Sequence, residues 1–166
     1  MIIDTLAAAV KPWHDWYAHS KATSAGVNWV HLSALLVGGG MAIASDRMVL
    51  RVGRAHADAD DRRRTLLDFS AIHRPVLLAL AVAAISGTAQ TLADVQTYFV
   101  SPTYWIKMGL IVLLLLNAWT LARTAKALAL DPSPGNRRWK RLSGGAVASI
   151  TLWLGTTLAG VLLTNA

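Results

Sequence analysis

His31 and Lys107 each stand near the start of a long apolar stretch of this 166-residue sequence, and chemistry would rest most readily on them. A neutral imidazole can ligate haem iron or copper, and it can pass a proton near neutral pH. At ~100° per residue, His31 shares a helical face with Leu35, Gly38, Ala42 and Ser45, a strip of mostly small side chains that should turn toward other protein. By the same rule Lys107 lies within about 80° of the stripe holding Leu110, Asn117 and Thr124. Gln90, Asp94, Thr156 and Thr157 reach the same level, and His14 or His19 could join from the N-terminal segment. The pattern allows a haem b or copper site on His31 with help from Lys107, and His14 and His19 are further candidate metal ligands. A plainer reading stays open: His31 donates to a carbonyl, Lys107 extends its ammonium to lipid phosphate, and no cofactor is bound.

Other histidines fit less well. His73 beside Arg74 opens the second apolar stretch at its far end, so most of a bilayer should separate it from His31; it reads as an interfacial residue or a lipid headgroup contact. His56 falls in a polar, solvated loop. Met108 is turned about 100° from Lys107 and reads as packing. No H-E-x-x-H, phosphate-loop or serine-elbow pattern is present, and no carboxylate pair stands at membrane depth. The absence of cysteine excludes disulfides, thiolate metal sites and thioether-linked haem.

The elements that position these residues are four stretches almost without charge, at 27–45, 75–93, 105–122 and 142–164. About 20 apolar residues at ~1.5 Å rise match a hydrocarbon layer of ~30 Å, and within lipid the backbone must bond to itself, so each stretch predicts a helix. The spanning helices are expected at about 27–46, 74–95, 104–124 and 142–164, within one transmembrane domain covering 1–166. With 54% apolar and 15% charged residues there is no room for a second folded domain.

A net charge of +7 is common in nucleic-acid-binding chains, but its distribution here argues for topology instead. Arg47, Arg51, Arg54, Arg62, Arg63, Arg64 and Arg74 fall in the first connection, and Arg123, Lys126, Arg137, Arg138, Lys140 and Arg141 around the third. The second, 94–104, has neither lysine nor arginine. Positive charge stays inside, which places connections one and three in the cytoplasm and both termini outside, in a bacterial inner membrane. Anionic lipid is the secondary reading of the basic residues.

The first 20 residues do not read as a cleavable signal peptide. Ile3, Leu6, Val10, Trp13 and Tyr17 recur at helical spacing, with Asp4, Lys11, His14 and Asp15 mainly opposite. This predicts an amphipathic helix, bent near Pro12, in the outer interface, where Trp29, Tyr104 and Trp105 extend an aromatic belt. The first inner connection is expected to extend the first helix over 47–61, turn at 55–61 and resume a helix at 62–69, with Pro75 in a tolerated first turn. Asp131-Pro-Ser-Pro-Gly135 is a helix breaker. Packing between spans is expected through small residues at fourfold spacing: Ala34, Gly38 and Ala42; Ala79, Ala83 and Gly87; Thr151, Gly155 and Ala159. The Gly38-Gly39-Gly40 run could admit a neighbouring helix or the face of a flat cofactor.

Trp29-Val-His31, Gly38-Gly39, Asp46-Arg47 and Tyr104-Trp-Ile-Lys107-Met-Gly-Leu form a pattern over about 29–119. It resembles the copper-resistance D (CopD) membrane domain and, more distantly, the HemJ-type protoporphyrinogen oxidase. The resemblance implies a helical bundle using a histidine and a lysine near one face, for copper handling or haem b, and it carries over only His31 and Lys107. HemJ-type chains have a further histidine where Asn117 and Trp119 stand, and proline-arginine where this chain has Asp46-Arg47, so porphyrinogen oxidation is not implied.

The expectation is an all-α integral membrane four-helix bundle, up-down-up-down, with an N-terminal interfacial helix. Its function is read as a haem b or copper site near the outer face, in electron transfer or metal handling. The alternative is a cofactor-free accessory or scaffold subunit, bound to other membrane subunits or to copies of itself. A small transporter is a third option, for which Ser86, Asn117 and Ser149 would provide a thin polar path. The bilayer is the expected partner, and nucleic acid is not.

Overall fold

A computed structural model of the chain describes residues 2–54, 58–130 and 137–164. Every regular element among them is helical: α1 (Ile2–His19), α2 (Lys21–Arg54), α3 (Ala59–Ala93), α4 (Val95–Val100), α5 (Pro102–Leu130) and α6 (Arg137–Thr164). Four of these, α2, α3, α5 and α6, are long and apolar enough to cross a membrane. The chain is an all-α, multi-pass membrane protein. His56 and the breaker at 131–135 lie outside the described residues.

Short polar side chains set the helix starts by satisfying amides that have no intrahelical partner. Ser20 accepts from the Thr23 amide at 3.2 Å, Asp58 from Asp61 at 2.8 Å, and Asp94 from Thr97 at 3.2 Å. Two features differ from the sequence expectation. Helix α3 begins at Ala59, so Pro75 lies in its interior instead of its first turn. The second connection also holds a helix of its own, α4, started by the Asp94 cap.

The long helices form a ring in which α2 packs on α3 and α6, α5 on α6, and α3 more loosely on α5. Named contacts show each pair to be antiparallel: His31 near the start of α2 meets Ala83 and Ser86 late in α3. Gly53 at the end of α2 abuts Ser143 near the start of α6, and Lys107 near the start of α5 lies over Gly160 late in α6. Helix α1 packs across the end holding His31, where the Trp13 indole N–H donates to the Ala89 carbonyl at 2.8 Å.

Midway along the ring, small residues allow close approach. A Cβ at Gly38 would lie 2.9 Å from that of Ala79, and one at Gly39 would lie 3.2 Å from the Trp153 indole. The glycine run therefore admits α3 on one side and, on the other, a flat group supplied by the protein itself. Helix α6 turns Ser149, Trp153, Thr156 and Ala159 inward. Thr151, expected in that strip, is exposed and returns its hydroxyl to Val147 at 3.0 Å. Leu36, Leu78, Ile85 and Leu154 stand outward on the apolar surface.

Candidate functional site

His31 reaches the ring interior because α2 places it on the strip that also buries Ala34, Gly38 and Ser45. The residue is 9% exposed. Its Nδ1 lies 3.0 Å from the Ala83 carbonyl and 3.0 Å from Ser86 Oγ. A carbonyl only accepts, so Nδ1 carries the proton and Nε2 keeps a lone pair. Ser86 in turn donates to the Val82 carbonyl at 2.7 Å, which leaves its oxygen to accept from the ring. Gly87 lets α3 come this close, since a Cβ there would meet His31 Cε1 at 3.1 Å. The Nδ1–Cε1 edge is thus held against α3, and Nε2 is the ring's remaining coordinating atom.

The Lys107 side chain enters from α5, near enough to interact electrostatically with the ring. Its Nζ would be 3.6 Å from a Cβ at Gly160, so the ammonium lies over bare α6 backbone. Thr156, about one turn along α6 from Gly160, is buried with its hydroxyl unpartnered. Helices α2, α3, α5 and α6 therefore contribute an imidazole, a serine, an ammonium and a threonine toward one end of the ring.

The remaining candidates are placed elsewhere. His14 Nδ1 is hydrogen-bonded to the Ala93 carbonyl, and the residue lines a cleft of about 250 Å³ between α1 and the α3–α4 corner. His19 bonds back to the Asp15 carbonyl at 2.7 Å on its own helix. Gln90 joins α3 to α2 by donating to Asn28 at 2.8 Å, and Asp94 is the α4 cap. Outside the spans, the Lys11 ammonium at 2.7 Å holds the Asp15 carboxyl below its ordinary value, and burial pushes the Tyr98 hydroxyl up. Among the described residues no three His, Asp or Glu side chains converge as a metal-binding group. His73 stands on α3 ten residues before Ala83, about 15 Å along the helix.

The sequence pattern alone does not pair Ser86 with the histidine, nor does it mark a second polar cluster at the opposite end. There Asp46 is 2% exposed with Ser149 near enough to act on its carboxyl, while its Oδ2 and the neighbouring Ser45 hydroxyl have no partner. The available signal was that Ser45 lies on the His31 face and that Ser149 is one of the few polar side chains in the fourth stretch.

No protein-family model matches the chain, and neither a curated protein nor a solved structure matches it.

Proposed function

We propose that the chain is an inner-membrane protein of bacteria, with both termini on the outer side, that holds haem b on His31 near its outer face and serves electron transfer or metal handling. The observation that carries this reading is the held imidazole. A ligating histidine typically donates its other ring N–H to a carbonyl or similar acceptor, which fixes tautomer and orientation. His31 does so toward Ala83, with Ser86 alongside. Nε2 would hold the iron, and the Lys107 ammonium would neutralise a haem carboxylate. Bound there, haem would supply a one-electron couple. Helix α1 would lie in the outer interface, with exposed Trp16, Trp29 and Trp105 at headgroup depth.

Copper is less well supported, because a bare cation needs several convergent ligands and gains nothing from a neighbouring ammonium. The donor set would suit one imidazole ligand beside a cation for an anionic group. The resemblance in His31 and Lys107 is to the CopD domain and, more distantly, to the HemJ-type proteins, so it favours neither group over the other. The competing reading is a cofactor-free accessory subunit, and it draws on the closeness of Gly87 to the ring, which a role as a packing pin between α2 and α3 would explain equally well.

Absorption spectroscopy of detergent-purified protein separates the two. Haem binding requires a Soret band that His31→Ala abolishes and Ser86→Ala perturbs. Colourless protein that loses stability on His31→Ala, and copurifies with other chains, supports the accessory subunit. Orientation is tested by single cysteines in the naturally cysteine-free sequence: a membrane-impermeant reagent should label Gln96→Cys from outside and leave Arg137→Cys unlabelled.

A further inference from the structure

Among the described residues, Asp46 is the one carboxyl that the ring buries. It directly follows the first apolar stretch, on a helix that runs about two more turns to Arg54. Burial and Ser149 of α6 are what act on its carboxyl, and its Oδ2 has no partner. The contact is closed on both sides. Val49 on α2 and Ala146 on α6, each about one turn toward the arginine-rich end, are fully buried. About one turn the other way along α6, Trp153 lies against Gly39. No countercharge faces the carboxyl. Helix α6 has no ionisable side chain from 142 to 164, and α2 has none from 32 to 45. The meeting of Gly38 with Ala79 sets the α3 residues near 71 level with Asp46. There His73 answers to Lys126, while Asp68 and Arg74 are exposed, as is Arg47 on α2 itself. An ionised carboxylate in such surroundings is strongly unfavourable, and it neutralises by taking up a cation.

We propose that Asp46 is a proton-binding site between α2 and α6, and that the bound proton latches the two helices together. Hydronium from the arginine-rich end gives its proton to Oδ2, an O–H bond forms, and water is left behind. A metal cation would need several convergent oxygens, whereas a proton needs Oδ2 alone. The closed contact is the arrangement of the neutral carboxyl. Releasing the proton leaves a charge that this contact cannot hold, so α2 and α6 part at Ser149 until water reaches the carboxylate. The site is therefore also a device that opens the arginine-rich end of the ring as protons become scarce.

Infrared spectroscopy of the purified full chain reads the proton directly. The carbonyl band of an un-ionised carboxylic acid should persist at about pH 5, above the ordinary aspartate range, and fade toward about pH 8. Asp46→Asn should abolish this band, and Asp46→Glu, which keeps the acid, should move it. The latch is read in Ser45→Cys, which puts a single buried thiol next to Asp46 in a chain without cysteine. Over the same pH interval its modification by N-ethylmaleimide should rise several-fold more than in Ser45→Cys with Asp46→Asn. That pairing cancels the ordinary pH dependence of a thiol. Equal rises in the two backgrounds would overturn the latch. An acid band lost together with those of the exposed carboxyls, near about pH 4, would overturn the proton site. A band removed at fixed pH by sodium chloride and not by choline chloride would overturn it in favour of a metal cation. None of these readouts depends on what His31 holds.

Discussion

The two ends of the helix ring are held together by different physics. At the arginine-rich end Val49, Leu66, Phe69, Leu121, Leu128, Trp139 and Leu142 bury one another, so all four long helices meet in an apolar core. Most of these residues lie beyond the charge-free stretches, on helical extensions that leave the hydrocarbon. Where water is the surroundings, burying apolar surface drives association; where lipid is the surroundings it drives little, and close packing with hydrogen bonds must serve. At the His31 end the interior accordingly relies more on glycine, alanine and buried polar groups, with Val95, Leu114 and Trp153 as its large buried apolar side chains. The apolar core can hold the helices in register while the polar end keeps side chains able to bind or react. A membrane protein of this size can place its rigidity outside the membrane and its chemistry inside.

The sharpest way to break this contrast is to cut into the core. Leu128 is 0% exposed, and Leu128→Ala should cost about 2–5 kcal/mol in unfolding from mixed micelles. Leu36, 78% exposed on the lipid side, should cost within about 0.5 kcal/mol as Leu36→Ala. Similar losses at the two sites would mean that the extensions are not where stability resides.

Close approach at mid-ring supplies the next test, within a single glycine run. Gly38→Ala puts a Cβ 2.9 Å from that of Ala79, so α2 and α3 must separate, at a cost of about 1–3 kcal/mol. Gly40 has nothing within 4 Å of a built Cβ, and Gly40→Ala should stabilise by up to about 1 kcal/mol through helix propensity. The same substitution two residues apart should change sign. Two losses would show that Gly40 also faces a partner, such as a second copy of the chain or another subunit.

The four spans were legible because length without charge is a coarse signal that tolerates error at the ends. The inward turn of His31 was legible as well, since Gly38, Ala42 and Ser45 mark its face. The charged extensions at 47–54 and 62–69 were legible as helix too, and only the exact ends were less so, with α3 beginning at Ala59. Helix α4 is too short to show a period, and only its Asp94 cap announces it. On α6 the expected strip holds at Ala159 and fails at Thr151, because small size alone does not define phase: Thr151 satisfies its own hydroxyl and faces out, while bulky Trp153 fills the glycine gap of α2. Ser86 could not be paired with His31 before the register of α2 on α3 was known.

Hydroxyls at the two ends offer a finer comparison. Ser86 accepts from the His31 ring at 3.0 Å, whereas the buried Ser45 hydroxyl has no partner. Ser86→Ala should therefore cost about 1 kcal/mol in the same unfolding assay, while Ser45→Ala should be neutral or slightly stabilising, because it removes a desolvated group that gains nothing in return. Equal losses would show that Ser45 is bonded in the membrane and shares in the Asp46 site.

The smallest effect is expected on α1, whose exposed Lys11–Asp15 pair decorates the His31 end without joining the ring. The Lys11 hydrogen bond is the main reason the Asp15 carboxyl titrates below its ordinary value of 3.8. A carboxyl depressed by folding contributes stabilisation that is complete above its unfolded value and disappears as pH falls through the folded one. This pair therefore adds a constant amount from neutrality down to about pH 5 and loses it only below about pH 4. Because both side chains are exposed, water and salt screen the contribution strongly. Asp15→Asn should soften the acid limb of the melting profile slightly and leave its neutral plateau flat, with the His31 spectrum unchanged. A fall that begins between pH 7 and 5 and vanishes in Asp15→Asn would instead make α1 an integral part of the His31 end, and the division of the molecule into a packed end and a polar end would have to include that helix.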